Sequence, residues 1–143
     1  MEVSQLIEFT GNHPLLVAAF VAILAMLVGG ELRQRFSGVS QVEPGEATRM
    51  LNHDNAIIVD MREDKEYREG HIVNAVHAPS GDGNAVQKLD KFRERPVIVY
   101  CRSGHRSTGY CGMLRKQGFS SVYNLAGGVL AWQKAGLPLT RDG

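Results

Sequence analysis

Apolar residues in this chain form one long run near the N-terminus and, after it, several short runs separated by amphipathic stretches. The short runs predict β-strands, and the unbroken ones at 56–60 and 97–100 are typical of central strands that are covered on both faces. Further strands are predicted at 39–42, 75–77 and 121–124, and helices at 44–51, 64–69, 85–92, 107–117 and 130–135. Strands that alternate with helices at this spacing predict an α/β fold, with a parallel sheet flanked by helices on both faces.

The long apolar run predicts a transmembrane helix. Between Glu8 and Glu31 the sequence has no formal charge if His13 is neutral, and residues 14–30 are apolar throughout. At about 1.5 Å per residue this core is slightly shorter than the ~30 Å hydrocarbon layer of a bilayer, so flanking residues must extend it. We therefore expect one membrane-spanning helix over about residues 9–32.

A buried core helix and a cleaved signal peptide fit the apolar run less well. A buried core helix is usually apolar along one stripe, whereas this segment is apolar all round. A cleaved signal peptide begins with basic residues, whereas the segment before this run contains Glu2 and Glu8 and no lysine or arginine. A signal peptide also ends at a small-residue cleavage site, and Val-Gly-Gly-Glu at 28–31 is a poor one. We prefer an uncleaved anchor in an N-terminal segment of residues 1–36, followed by a domain at 37–143.

Basic residues near the ends of this helix predict its orientation. Arg33, Arg35 and Arg49 follow the apolar run, and no lysine or arginine precedes it. Because positively charged flanks tend to stay on the cytoplasmic side of a membrane, the domain should face the cytoplasm. The sequence therefore predicts a single-pass protein of the inner (cytoplasmic) membrane.

The overall charge and the cysteine content argue against two classes of protein. The formal net charge is +1 at pH 7, and no cluster of lysine and arginine suggests binding to nucleic acid. The two cysteines, Cys101 and Cys111, are too few for a disulfide framework. The chain has room for one domain of ordinary size plus an appendage.

The candidate chemistry lies where the predicted strand at 97–100 ends in Cys101. A six-residue polar loop follows, made of Arg102, Ser103, Gly104, His105, Arg106 and Ser107. A loop between a strand and the N-terminus of a helix forms an anion cradle, because backbone N–H groups converge there and the helix dipole adds positive potential. A thiol in such a place loses its proton more readily. We therefore interpret Cys101 as an activated nucleophile for a small anionic substrate, rather than as a buried structural cysteine.

The residues of this loop have different expected roles. Gly104 permits the loop to curl around the sulfur, and the hydroxyls of Ser103 and Ser107 can donate hydrogen bonds. Three members are cationic and are expected to contact a substrate anion, with solvated surface charge as the alternative for each. These three are Arg102, His105 and Arg106. Cys101 and His105 lack two further convergent ligands, so we expect no metal site.

Three motifs in order mark the domain. The first is Val-Asp-Met-Arg at 59–62 with Tyr-Arg-Glu-Gly-His-Ile at 67–72 and Ala-Val-His-Ala-Pro at 75–79, the second is Cys-Arg-Ser-Gly-His-Arg-Ser at 101–107, and the third is Asn-Leu-Ala-Gly-Gly-Val-Leu-Ala-Trp at 124–132 with Gly-Leu-Pro at 136–138. Together they resemble the signatures of the single-domain rhodaneses, a family of sulfurtransferases, over roughly residues 42–139. The resemblance implies a rhodanese-like domain whose active-site loop is the second motif.

The resemblance also implies a sulfur transfer in two steps. The Cys101 thiolate would take the outer sulfur of thiosulfate or a similar small anionic donor as a persulfide, and pass it to a thiol or protein acceptor. No organic cofactor or metal is implied. Asp60 and Arg62 match a family signature away from the nucleophile, so we expect framework residues there, with a supporting role at the site as the lesser alternative.

Two other functions stay open for a chain with this resemblance. Phosphatases and arsenate reductases that share the fold have Cys-x5-Arg, so that the arginine grips a tetrahedral oxyanion. This chain has Cys-x4-Arg from Cys101 to Arg106, and the shorter loop favours a single sulfur atom. Rhodanese-like domains also serve as membrane-tethered adaptors or regulators without significant turnover, although those usually lack the cysteine. Cys111, in the helix after the loop, is expected in the core, with a resolving thiol as the alternative.

Overall fold

The computed structural model of the chain describes residues 2–36 and 38–142, without the side chains of 34–36. The chain divides into two compact units at residue 36. The N-terminal unit contains helices α1 (Val3–Asn12) and α2 (Pro14–Phe36). The second unit contains all seven strands and the five other α-helices of the described residues.

The N-terminal unit has two helices where the sequence led us to expect one over about residues 9–32. His13 separates them with an extended φ of −130°, because the ring of a proline disfavours helical backbone in the residue before it. The long helix therefore begins at Pro14, where the missing N–H of proline costs no hydrogen bond. The most apolar 18-residue window within residues 14–33 has a mean hydropathy of 2.4 and none of it is buried, so this helix is long and apolar enough to cross a membrane.

The second unit is built on a five-stranded parallel sheet. Its strand order is β1-β6-β5-β2-β4, and a separate antiparallel pair joins β3 to β7. The strands are β1 (Ser40–Val42), β2 (Ile57–Asp60), β3 (His71–Ile72), β4 (Val76–His77), β5 (Val97–Tyr100), β6 (Val122–Leu125) and β7 (Leu139–Thr140). The predicted parallel α/β sheet is confirmed. The β3–β7 pair was not predicted, because strands of two residues are too short to show a hydrophobic period.

Helices cover both faces of the sheet, as predicted. They are α3 (Pro44–His53), α4 (Asp64–Glu69), α5 (Ala85–Leu89) with a 3-10 turn at Asp90–Phe92, α6 (His105–Lys116) and α7 (Gly128–Lys134). Alternate residues of the central strands enter two separate hydrophobic clusters. Val97 and Val99 pack on the side of α5 and α6, whereas Ile98 and Tyr100 pack on the side of α3 and α7.

The register of the sheet determines where the candidate chemistry lies. Strands β2 and β5 end together, with Asp60 opposite Tyr100, and Val99 of β5 lies opposite Asn124 of β6. Cys101 follows directly after β5, so it emerges at the carboxyl edge of the sheet. Ligands of open parallel sheets bind beyond this edge, where the strands deliver their loops.

Candidate active site

The loop after Cys101 is attached to the N-terminus of α7. The N–H of Val129 donates to the carbonyl of Cys101 at 2.9 Å, and the N–H of Leu130 donates to the carbonyl of Arg102 at 3.2 Å. Gly128 makes this approach possible, since a Cβ there would lie 2.5 Å from both of these carbonyl oxygens. Its φ of +60° is also one that other residues rarely adopt. The helix therefore begins at residue 128 rather than at the predicted 130.

The sulfur of Cys101 is surrounded by hydrogen-bond donors. It accepts from the backbone N–H of Gly104 at 3.1 Å and from the hydroxyl of Ser107 at 3.3 Å. Burial raises the pKa of the Cys101 thiol, but the Ser107 hydroxyl and the N–H groups of Ser107, Gly104 and Ser103 lower it by more, so that the net pKa lies below its ordinary value. Gly104 has a φ of +96°, which turns its N–H towards the sulfur. This arrangement favours the thiolate.

Asn124 completes the polar contacts behind the loop. Its Oδ1 makes a short hydrogen bond with the hydroxyl of Ser107. Its Nδ2 lies 2.8 Å from Oε1 of Gln41, 3.0 Å from the carbonyl of Gly104 and 3.2 Å from Oγ1 of Thr108. No role for Asn124 was predicted from the sequence. The available signal was a polar residue at the end of an otherwise apolar strand, on the same sheet edge as the cysteine.

The three basic residues of the loop differ in their surroundings. Arg106 forms an ion pair with Glu66 of α4 at 3.0 Å, and both side chains are partly exposed. Burial raises the pKa of Glu66, but its hydrogen bond with Arg106 helps to lower the net value. Arg102 and His105 are exposed, and in the described part of the chain their side chains form no hydrogen bond or ion pair. Arg106 is thus held in an ion pair with Glu66, whereas Arg102 and His105 face solvent.

Asp60 and Arg62 lie in a buried framework. Two nitrogens of the Arg62 guanidinium, Nε and Nη2, donate to the Asp60 carboxylate at 3.0 and 2.7 Å, and Nη2 also donates to the carbonyl of Gly70. The hydroxyl of Tyr100 donates to Asp60 at 2.7 Å and accepts from the N–H of Ile72 at 3.0 Å. Burial lowers the pKa of Arg62, but Asp60 and Tyr100 raise it by more than burial lowers it. The net pKa is raised, so the guanidinium stays charged. These contacts join β3 to the edge of the sheet rather than reaching the loop.

Cys111 lies in α6 and has no solvent-exposed surface. Burial, with a smaller contribution from the nearby charge of Cys101, raises its pKa to about 12. A thiol with this pKa is almost wholly protonated at neutral pH and is therefore a poor nucleophile. Among the described residues, no group of three or more histidine, cysteine or acidic side chains is placed to hold a metal ion.

Comparison with known proteins decides the family. The protein-family model for the rhodanese-like domain matches residues 43–135 of this chain. The chain belongs to the rhodanese-like family. The resemblance seen in the sequence is thereby confirmed.

Relatives extend this finding over the rhodanese domain and beyond it. The protein YibN of Escherichia coli K12 is 34% identical over 139 residues, which cover 96% of this chain and 97% of YibN. The thiosulfate sulfurtransferase GlpE of Actinobacillus succinogenes is 31% identical over 100 residues, or 70% of this chain and 89% of GlpE. The solution structure of the rhodanese-like domain of Alr3790 from Anabaena has a TM-score of 0.63 and 27% identity, covering 70% of this chain and 77% of that one. Such relatives support membership of the sulfurtransferase family.

Replacing Gly128 tests the attachment of the loop. We expect Gly128→Ala to lower the free energy of unfolding by at least about 2 kcal/mol, because its Cβ would overlap backbone atoms that cannot move aside. Gly112→Ala in α6 is the matched control: its Cβ meets nothing within 4 Å, so it should gain up to about 1 kcal/mol. Unfolding of the full-length protein in detergent measures both. Equal stability of Gly128→Ala and the wild type would contradict the attachment.

The rate of alkylation by iodoacetamide tests the lowered pKa of Cys101. Since only the thiolate reacts, a lowered pKa keeps the rate high until the pH falls below it. We expect half-maximal rate below about pH 8.5, the ordinary value for cysteine, and a midpoint at higher pH in Ser107→Ala. Cys111→Ala should leave the midpoint unchanged, because the Cys111 thiol does not ionise in this range. A wild-type midpoint at or above pH 8.5 would show that the donors do not stabilise the thiolate.

Proposed function

We propose that this protein is a sulfurtransferase that holds sulfane sulfur as a persulfide on Cys101. The observation that supports this most directly is the set of donors around its sulfur, the Gly104 N–H at 3.1 Å and the Ser107 hydroxyl at 3.3 Å. These groups stabilise a sulfur anion, which is the form needed both to attack a donor and to leave as the acceptor is thiolated. The sulfurtransferase names of relatives point the same way.

The proposed reaction is a pair of displacements at sulfur. The Cys101 thiolate attacks the outer sulfur of thiosulfate or a similar donor, a new S–S bond forms, and sulfite leaves with the electrons of the broken bond. An acceptor thiolate then attacks the outer persulfide sulfur, and Cys101 returns as a thiolate. Arg102 and His105, exposed beside the loop, attract the anionic donor, and the 31% identity to a thiosulfate sulfurtransferase supports thiosulfate as one donor.

A second candidate is a tethered adaptor without significant turnover. The observation that favours it is the complete burial of Cys101, which has no solvent-exposed surface in this structure. For catalysis, the loop of residues 102–106 must open enough for a donor to reach the sulfur. The polarised sulfur favours the enzyme over the adaptor, because an adaptor has no need of a lowered thiol pKa.

We further propose that α2 anchors the domain in the inner membrane, with the domain facing the cytoplasm. The length and apolar character of α2 support this, since its most apolar 18-residue window has a mean hydropathy of 2.4. The basic residues Arg33, Arg35 and Arg49 follow the helix, whereas the preceding segment has only the charged residues Glu2 and Glu8. A cleaved signal sequence is the competing role for the same helix.

Mass spectrometry after exposure to thiosulfate tests the persulfide. We expect an added mass of about 32 Da on Cys101, removed by a thiol, and transfer of sulfur to cyanide. Cys101→Ala should reduce both to background, because the nucleophile is lost. Cys111→Ala, a matched removal of the other thiol, should keep both. A wild-type protein that folds but gains no sulfur on Cys101 would favour the adaptor.

Protease accessibility tests the anchor and its orientation. In inside-out vesicles of the inner membrane, we expect added protease to digest the rhodanese domain of the full-length protein. In right-side-out vesicles the domain should be protected until detergent is added. A shortened, soluble product in the periplasm would instead indicate a signal sequence.

A further inference from the structure

Two of the hydrogen-bond donors to the Cys101 sulfur, the Ser107 hydroxyl and the Gly104 N–H, belong to residues that the side-chain amide of Asn124 contacts. Its Oδ1 bonds to the hydroxyl of Ser107, which lies 3.3 Å from the sulfur. Its Nδ2 donates at 3.0 Å to the carbonyl of Gly104, whose N–H donates to the sulfur at 3.1 Å. We propose that Asn124 is a positioning residue for the reactive sulfur. It acts by fixing the Ser107 hydroxyl and the backbone of Gly104 together.

The orientation of the Asn124 amide is determined by its neighbours. Asn124 is 1% exposed, and it lies on β6 opposite Val99, two residues before Cys101 on the adjacent strand. The carbonyl of Gly104 can only accept hydrogen bonds, so the nitrogen of the amide must face it. Oε1 of Gln41, 2.8 Å from Nδ2, favours the same orientation. The oxygen of the amide is therefore directed at Ser107.

The hydroxyl of Ser107 has one proton and two acceptors, Asn124 Oδ1 and Cys101 Sγ. When the sulfur is a thiol, its S–H can donate to the Ser107 oxygen while the hydroxyl proton goes to Asn124. When the sulfur is an anion, the hydroxyl proton turns to it. Asn124 keeps the Ser107 oxygen beside the sulfur in the first state, so the donor is already in place for the second.

Gly104 is held through its carbonyl, in the peptide group that follows the one carrying its N–H. Glycine is free to adopt many backbone conformations. The N–H of Gly104 bonds to the sulfur in the observed one, which has a φ of +96°. The hydrogen bond from Asn124 to its carbonyl, together with one from the Thr108 hydroxyl at 3.0 Å, restricts that freedom. The amide thus supplies order to the donor that glycine by itself does not.

This inference rests on the proposed function only in taking Cys101 as the reacting group. Its test therefore uses alkylation, which needs no sulfur donor or acceptor. Among the described residues, Arg106 and Cys111 of α6 are ionisable groups that interact electrostatically with Cys101. Both are unchanged in every variant below, so a shift in the alkylation profile reports the donors.

The central variant is Asn124→Leu, which keeps the approximate size of the side chain and removes its hydrogen bonds to Ser107 and Gly104, together with its contacts to Gln41 and Thr108. We expect the pH midpoint of alkylation by iodoacetamide to rise by at least one unit, which is about a tenfold lower rate well below the midpoint. The rise should exceed that of Ser107→Ala, which removes one donor. In the double variant of Asn124→Leu and Ser107→Ala, the midpoint should rise by less than the sum of the two single-variant shifts, because Asn124 acts partly through Ser107.

Tyr100→Phe is the control for loss of stability. It removes two buried hydrogen bonds next to Cys101 along the chain, to Asp60 and from Ile72, without a contact to Ser107 or Gly104. Its midpoint should match that of the wild type, measured in the same full-length protein in detergent. If Asn124→Leu does not fold, Asn124→Ala replaces it. Ala removes the same hydrogen bonds without adding a charge, and should also raise the midpoint by at least one unit.

An unchanged midpoint in a folded Asn124 variant, or an equal shift in Tyr100→Phe, would overturn the inference. Fully additive shifts in the double variant would also overturn it, since they would show that Asn124 does not act through Ser107. Absence of sulfur transfer by the wild type, with the expected shifts in alkylation, would remove the proposed function and leave the role of Asn124 standing.

Discussion

The arrangement of the rhodanese domain around its candidate site depends on the hydrogen bonds that converge on the sulfur of Cys101. The backbone must curve tightly for the Gly104 N–H and the Ser107 hydroxyl to face one atom at 3.1 and 3.3 Å. That curvature is held from outside the loop by the first N–H groups of α7, which bind the carbonyls of Cys101 and Arg102. Two glycines permit it, Gly104 within the loop and Gly128 beneath it, because both have positive φ and backbone close by.

The same contacts account for the balance of charge at the site. Burial favours the neutral form of a thiol, and at Cys111, whose sulfur donates to the carbonyl of Tyr123 at 3.5 Å, it raises the pKa to about 12. At Cys101 burial acts in the same direction, but the donors of the loop outweigh it. Two cysteines of one helix–loop segment, both without exposed surface, thus differ in ionisation because only one is placed at converging N–H groups.

Much of this arrangement could be predicted from local sequence. The apolar runs indicated the central strands, and the position of Cys101 after one of them indicated the edge where ligands bind. Contacts between distant parts of the chain could not be predicted in this way. The ion pair of Arg106 with Glu66, forty residues earlier, is one such contact. Asn124 meets Gly104 and Gln41 only because β1, β5 and β6 are neighbours in the sheet, and strand order does not follow from periodicity. The start of α7 was missed because glycine is a poor helix former, although here Gly128 is needed for close approach.

The buried, protonated state of Cys111 has a consequence for how a sulfur atom would depart from Cys101. A second thiolate within the chain would let the outer sulfur move on by an internal exchange, at a rate independent of other molecules. With Cys111 unionised in the core, that route is closed at neutral pH. Under the proposed mechanism, release would then be a bimolecular event, and the lifetime of a persulfide on Cys101 would depend on how often a suitable acceptor arrives.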